Sequence, residues 1–220
     1  MKDKAKVLII GSGGHASVII DLLRSLDGYE IIGMVSDSQE LVSEFMGITL
    51  LGGTSEMAEI KKRYNVDSCV IAVGDNFVRS QLYKKWAHLF LFPSLVHPSA
   101  QVSSSVTIGD GVVILPRAVV NANSRINTGC ILNTGSILEH DCEMSDFSSL
   151  APAATIGGAT TIGSLSAISI GSTVLHGLSI GDNVVVGAGA VVVKDVISDV
   201  LVCGGPAVIV KTRVAAEKYL

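Results

Sequence analysis

Aromatic residues make up only 5% of the 220-residue chain, against 23 glycines. So few large rings with so much glycine argue that something other than bulky interdigitation organises the fold. A basic excess is also missing. Sixteen Lys and Arg against 20 Asp and Glu give a formal charge of −4, with a pI near 5.7. That leaves no cationic face for nucleic acid or an anionic bilayer, so neither is an expected partner and small molecules are. Cysteine pairing signals are absent too. Cys69, Cys130, Cys142 and Cys203 show no C-x-x-C spacing, which argues against a thiolate zinc site and a disulfide framework. No run of about 18 apolar residues without glycine or charge is present to span a bilayer. The opening run "VLII" is broken by Gly11 and is too short for the core of a signal peptide. The expectation is a soluble, cytoplasmic protein.

What the chain has instead is a repeat. Counting in sixes from Val96, the first residue of every block through Val192 is aliphatic, without exception in 17 blocks. The fifth residue is nearly always small, as in Ala118, Ser124, Cys130, Ser136 and Cys142. A β-sandwich would show period-2 alternation broken by turns every 8 to 12 residues. A sustained period of six instead predicts a parallel β-solenoid with three flat faces, one inward aliphatic per face and a small fifth residue to negotiate each corner. Three hexads make one coil, so residues 18 apart stack about 4.8 Å from one another. Through His140 that column reads Ser104, Ala122, His140, Gly158, His176, Lys194.

The first 95 residues differ in kind. "AKVLII" reads as a strand, "GSGGHA" as a glycine-rich turn and "SVIIDLLRSL" as a helix, with Val18, Ile19, Leu22, Leu23 and Leu26 on one side. Gly11, Gly13 and Ala16 fit G-x-G-x-x-G/A after a strand, and Asp37 ends the second strand, "EIIGMVSD". Loop amides and a helix N-terminus in that arrangement can hold a phosphate. A further strand in "SCVIAVGDN" ends at Gly74, and "FVRSQLYKKW" begins a second helix, giving roughly four strands and two helices. The expected organisation is a Rossmann-like α/β domain over 1–95, an all-β parallel helix over 96–210 and a tail over 211–220.

The hexads "IGDGVV", "IGGATT" and "IGDNVV" resemble the repeat of the hexapeptide-repeat acyltransferases, [LIV]-[GAED]-x-x-[STAV]-x. The resemblance runs from 96 to about 210 and closes in "GGPAVIVK", with Gly205 where that family has asparagine. It implies a left-handed β-helix, an exception to right-handed crossovers, and homotrimers that carry acyl-CoA between neighbouring helices. Both halves together, through "GSGGHA", "IAVGDN" and "ILNTGSILEHDC", resemble a narrower group of sugar O/N-acyltransferases. That group includes sialic acid O-acetyltransferases and N-acetyltransferases of nucleotide-linked 4-amino sugars.

The narrower resemblance implies a sugar-nucleotide site in the N-terminal domain. Gly13, Gly14 and His15 would surround the diphosphate and sugar, together with Gly11 of the same loop. Asp37 would take the uracil or ribose, with Ser36 standing where the family often has another acidic residue, and Gly74 would close the pocket. Acetyl-CoA, the co-substrate, would lie along Ser149 and Ile170, and the 18-residue column independently adds Gly158, His176 and Lys194, where a pantetheine arm laid along the edge would end near a cation. Ser149 stands where relatives often carry a second histidine. No metal is implied.

The catalytic expectation centres on "SILEHDCEM". An amine attacks a thioester directly once it sheds a proton, so one base suffices. Histidine suits that task near neutral pH, and a neighbouring carboxylate can hold its tautomer. His140 matches the family's base and Asp141 its partner, with Glu139 as a secondary or structural group. The leading expectation is an acetyl-CoA-dependent N-acetyltransferase of a UDP-linked 4-amino-4,6-dideoxy sugar in bacterial glycan biosynthesis. Three alternatives stay open: O-acetylation of sialic acid or another sugar, a zinc carbonic anhydrase of the same shape, and a nucleotide-binding scaffold without chemistry. The zinc reading needs three converging histidines, whereas the solenoid offers only His97, His140 and His176, spread along the chain.

Overall fold

The computed structural model describes residues 4–37, 43–214 and 216–218. Its N-terminal domain runs β1 (Ala5–Ile10), α1 (Gly14–Arg24), β2 (Tyr29–Val35), β3 (Glu44–Phe45), β4 (Ile48–Gly52), α2 (Met57–Tyr64), β5 (Ser68–Ile71) and α3 (Asn76–Trp86). The sheet order is β3-β4-β2-β1-β5, parallel except for the β3–β4 pair. Central β1 is covered on both faces, so Val7, Leu8, Ile9 and Ile10 are all buried. Alternation along the strand sorts them. Val7 and Ile9 pack with Ile19, Ile20 and Leu23 of α1, and Leu8 and Ile10 with Met57, Ile60 and Trp86. The α1 cluster continues into Leu95, Val113, Leu115 and Ile131, so this helix lies between its own sheet and the solenoid. Among the described residues, three helices and a β3–β4 pair stand where two helices and about four strands were expected. The extra helix, α2, has eight residues and is mostly polar, leaving little apolar periodicity to read.

From Leu95–Val96 onward the chain forms a left-handed parallel β-helix of two-residue strands on three sheets. Each strand pairs with the strand 18 residues on, as in Ile131↔Ser149, Ile137↔Thr155 and Glu143↔Thr161. The first-position residues from Ile114 to Val192 fill the interior at 0–2% exposure. Fifth-position residues go inward as well, and the hydroxyls of Ser124, Thr160 and Ser166 bond carbonyls of the next coil. Ser124 Oγ donates to the Glu139 carbonyl and Ser166 Oγ to that of Gly181, each at 2.7 Å. The corner itself is made one residue earlier than expected. The fourth position is left-handed from Gly111 (φ 64°) through Asp141 (φ 58°) to Gly189 (φ 66°), and the small fifth residue tucks beneath it.

The repeat ends by shortening. After Val192 the pairing offset falls from 18 to 16, as in Ile180↔Val196 and Val185↔Leu201. Strand Val200–Cys203 then pairs with Val208–Thr212, which runs antiparallel and ends two residues beyond the expected boundary at 210. Between them, Val191 N–H donates to the Gly204 carbonyl and Ala207 N–H to that of Val191.

Phe147, the only aromatic residue from 96 to 210, is used at the domain junction. Its ring meets Tyr83 of α3 edge-on at 5.5 Å between centroids. Gly129, at φ 66°, leaves room for that ring, since a Cβ there would lie 2.3 Å from it.

Candidate active site

Two places in the chain gather the expected residues. The first is the solenoid edge at His140. In extended chain, adjacent side chains point to opposite faces; the left-handed backbone at Asp141 breaks that alternation and leaves both side chains outward. His140 Nδ1 then lies 2.8 Å from Asp141 Oδ2, with the two side chains 60% and 53% exposed. Asn123, one coil earlier, donates to the other oxygen of Asp141 at 3.1 Å. The hydrogen bond with His140, followed by that from Asn123, holds the Asp141 carboxyl below the usual range. Asp141 therefore stays an acceptor, which places the proton of neutral His140 on Nδ1 and leaves the Nε2 lone pair free. Glu139 is engaged separately, accepting from Asn121 Nδ2 at 2.8 Å.

The stacking column through His140 is present. Asp141 N–H bonds the Ala122 carbonyl, Ala159 N–H that of His140, and Gly177 N–H that of Gly158. The imidazole lies against Gly158, where a Cβ would come within 2.6 Å of Nε2. His176 follows, its backbone packed against Gly157. Lys194 does not continue the arrangement, because the coil shortens at that point: Ser179 N–H bonds Asp195 Oδ1, 16 residues on. Lys194 instead borders a hollow with Val196, Ile197 and Ile209.

The second place is a cavity of about 650 Å³ between α1 and the longest solenoid sheet. Gly14, His15, Val18 and Gly74 line it from the N-terminal domain, and Asn133, Ser149, Ile170 and Gly187 from the solenoid. It thus joins three residues expected at the sugar nucleotide with two expected at acetyl-CoA. Burial first, and the nearby Arg79 guanidinium second, lower the His15 pKa to about 4, so the ring is neutral at pH 7. Its Nε2 is buried without a hydrogen-bond partner. Gly11 has a packing reason to be glycine: at φ 112°, a Cβ would lie 3.0 Å from the Ala72 carbonyl oxygen and from the Val73 side chain. Ser36 ties the loop to β2, its hydroxyl 2.7 Å from that of Ser12. Asp37 accepts from Thr54 Oγ1 at 2.6 Å and Thr54 N–H at 2.7 Å, bonds that lower its pKa.

Within one chain, then, His140, Asp141, Gly158 and His176 share an edge, while Gly14, His15, Gly74, Ser149 and Ile170 share a cavity. Asn133 was missed by the sequence reasoning. It lies inside "ILNTGSILEHDC", but nothing in the hexad pattern marks it as facing the cavity. Arg79 and Asn76 of α3 were also missed. Their spacing of three places both on one helix face, the only signal the sequence offered. Among the described residues, no group of three His, Cys, Asp or Glu is placed to hold a metal, and no helix is long and apolar enough to cross a membrane.

Comparison with known proteins adds to this geometry. Residues 6–86 match the family model described as the PglD N-terminal domain. A curated UDP-N-acetylbacillosamine N-acetyltransferase from Bacillus subtilis (strain 168) is 34% identical over 115 residues, a match spanning 50% of this chain and 50% of that protein. The alignment thus spans about half the length of that curated relative. Among solved structures, PerB from Caulobacter crescentus, in complex with CoA and GDP-perosamine, is 34% identical with a TM-score of 0.87, covering 93% of this chain and 97% of that one. The acetyltransferase domain of PglB from Neisseria gonorrhoeae FA1090 is 34% identical with a TM-score of 0.88, covering 94% and 100%. That domain is also solved in complex with acetyl coenzyme A.

Proposed function

Since the chain belongs to the hexapeptide-repeat sugar acyltransferase family, we propose that it transfers an acetyl group from acetyl-CoA to the amine of a UDP-linked 4-amino-4,6-dideoxy sugar. The observation that carries this reading is the His140–Asp141 pair, held at 2.8 Å on an edge whose next residue in the stack is a glycine. Asp141 accepts from Nδ1–H, and Nε2 takes the proton that the amine must lose. The nitrogen attacks the thioester carbonyl, a C–N bond forms and the C–S bond breaks. The proton on Nε2 then passes to the departing thiolate, which regenerates the base. Gly158 leaves the space beside Nε2 open to a reacting carbonyl.

Edge and cavity face different ways in one chain, so the reading includes a homotrimer in which the His140 edge of one chain meets the cavity-bearing sheet of the next. Exposed apolar side chains beside both support it: Ile170 at the cavity is 60% exposed, and Leu175 next to His176 is 41%. In this reading Gly14, His15 and Gly74 hold the sugar nucleotide and Asp37 its ribose or base, while Ser149, Gly158, Ile170 and His176 line the acetyl-CoA. Lys194 would reach that ligand only across the chain boundary. The reaction belongs in the cytoplasm, a setting that fits the four free thiols.

The test is thiol release from acetyl-CoA with UDP- and GDP-linked 4-amino sugars and with sialic acid as acceptors. Transfer to the UDP-linked amine is expected. A preference for the GDP-linked sugar would overturn the assigned base, and a preference for sialic acid would overturn the assigned acceptor.

A further inference from the structure

Arg79 on α3 is 2% exposed. A guanidinium is expensive to bury unless its donors are met, and this one makes at least five hydrogen bonds. Nε donates to the Gly129 carbonyl at 2.7 Å, and Nη2 to Asn76 Oδ1 at 2.6 Å and the Phe147 carbonyl at 3.2 Å. Nη1 donates to the Gly74 carbonyl at 2.8 Å and the Val73 carbonyl at 3.3 Å. Gly129 and Phe147 belong to the solenoid, whereas Val73 and Gly74 lead from β5 into α3 on the wall of the cavity. Asn76 adds a second tie, donating from Nδ2 to the carbonyls of Leu165 and Ser166 at 3.2 and 3.1 Å. A clamp that only joined two domains would have no need of two successive carbonyls from a cavity loop.

Those two contacts fix more than position. A peptide unit is planar and trans, so its N–H points opposite to its C=O. Drawing the Val73 and Gly74 carbonyls onto Nη1 turns the N–H groups of Gly74 and Asp75 away from Arg79. Neither N–H has an acceptor among the described residues, and Gly74 lines the cavity opposite Gly14 and His15. Successive N–H groups turned to one side form a concave donor for anions. Topology agrees. The strand order leaves β1 toward β2 on one side and toward β5 on the other, and open α/β sheets take their ligands at that reversal, outside the strand ends.

We propose that Arg79 is a positioning residue for the sugar nucleotide: it holds the 73–75 peptides so that the amides of Gly74 and Asp75 donate to the diphosphate of a nucleoside diphosphate. This rests on the cavity being the sugar-nucleotide site, as proposed above. The guanidinium itself stays out of contact, acting through the peptides it holds.

Two measurements test it. In deuterated, 15N-labelled full-length protein, the Gly74 and Asp75 amide resonances are expected to move on titration with UDP or with GDP, each added alone. In kinetics, Arg79→Lys and Arg79→Gln are expected to raise the KM for the sugar nucleotide about tenfold or more, with the KM for acetyl-CoA and kcat within about twofold of wild type. Equal rises in both KM values, or a lowered Tm with the sugar-nucleotide KM unchanged, would show a merely structural clamp and overturn the proposal. Silent amides with both nucleotides in a protein that does transfer acetyl groups would overturn it while leaving the functional reading intact. Amides that respond to UDP in a protein that acetylates no amino sugar would do the reverse. Should neither variant fold, the wild-type titration decides.

Discussion

In the solenoid a side chain's neighbours are set by counting: position 140 touches position 158 because one coil is 18 residues long, whatever the residues are. In the N-terminal domain neighbours are set by packing, and Ile9 meets Ile19 only because a helix happens to cross a strand there. The solenoid can therefore change outward residues one at a time without disturbing its frame, and it carries its reactive pair on an exposed edge. The α/β domain holds its proposed binding groups inside, with His15 Nε2 and the Arg79 side chain buried among several neighbours. The proposed function therefore implies a division of labour, with chemistry on the frame that tolerates substitution and recognition in the domain that does not. If that division holds, solenoid-edge variants move kcat and N-terminal variants move the KM of one substrate.

The largest effect is expected at His140. His140→Ala removes the proposed base and should lower kcat by about 10²–10⁴-fold. Because the side chain is 60% exposed, stability should change by no more than about 0.5 kcal/mol. Single-turnover kinetics with a thermal melt check both. Retention of more than about a tenth of kcat would break the comparison at its centre.

Gly158→Ala comes next. Its added Cβ would lie 2.6 Å from His140 Nε2, displacing the ring while leaving the coil in register. A fall in kcat of roughly ten- to a hundredfold is expected. The same change in a His140→Ala background should do much less, leaving only its crowding of the bound acetyl-CoA. An additive double mutant would mean that Gly158 serves something other than the ring.

Asp37→Ala sharpens the other half. The carboxylate anchored by Thr54 would be lost, and the sugar-nucleotide KM should rise about tenfold, the weight of one hydrogen bond to a charged group. The acetyl-CoA KM should stay put, and a matching rise there would erase the boundary between the halves.

The smallest expected effect is on stability against pH. Burial, with the Arg79 guanidinium nearby, lowers the folded pKa of His15 from an ordinary 6.5 to about 4. The unfolded chain thus takes up a proton first as the pH falls, and protonation favours unfolding. Stability is complete above about pH 6.5 and drains away toward pH 4, with roughly 1 kcal/mol lost by pH 5.5. Denaturant titrations of wild type and His15→Asn across that range should show a flatter profile for the variant.

How much of this was legible in the sequence follows the same contrast. The aliphatic column from Ile114 to Val192 and the stacking of His140 on Gly158 could be read by counting, because the solenoid converts spacing directly into contact. The strand, glycine loop and helix from Ala5 to Arg24 were legible from apolar pattern. The corner conformation was misplaced by one residue, since small size at the fifth position reports burial rather than backbone twist. Lys194 was carried on an 18-residue stride into a coil that is two residues shorter, and no residue type announces such a shortening. Arg79 stayed hidden for a different reason: it donates to the main-chain carbonyls of Val73, Gly74, Gly129 and Phe147, a group every residue has. Gly187 on the cavity wall was not legible, because a glycine is unremarkable in any hexad, whereas Ile170 was expected there only through the family resemblance.

The way the coil stops has a consequence for the life of the protein in a crowded solution. A stack of parallel coils is by construction able to add another, since its last turn offers unpaired N–H and C=O groups on three faces to any similar strand. Here each face is closed by a segment outside the repeat: Val196 on one, Gly204 and Ala207 on the second, and the reversed strand Val208–Thr212 on the third. A strand running backwards presents the wrong polarity and spacing to a parallel newcomer. The terminal segments thus act as a stopper against end-to-end polymerisation, and a chain cut after Val192 would have the geometry of a fibre seed.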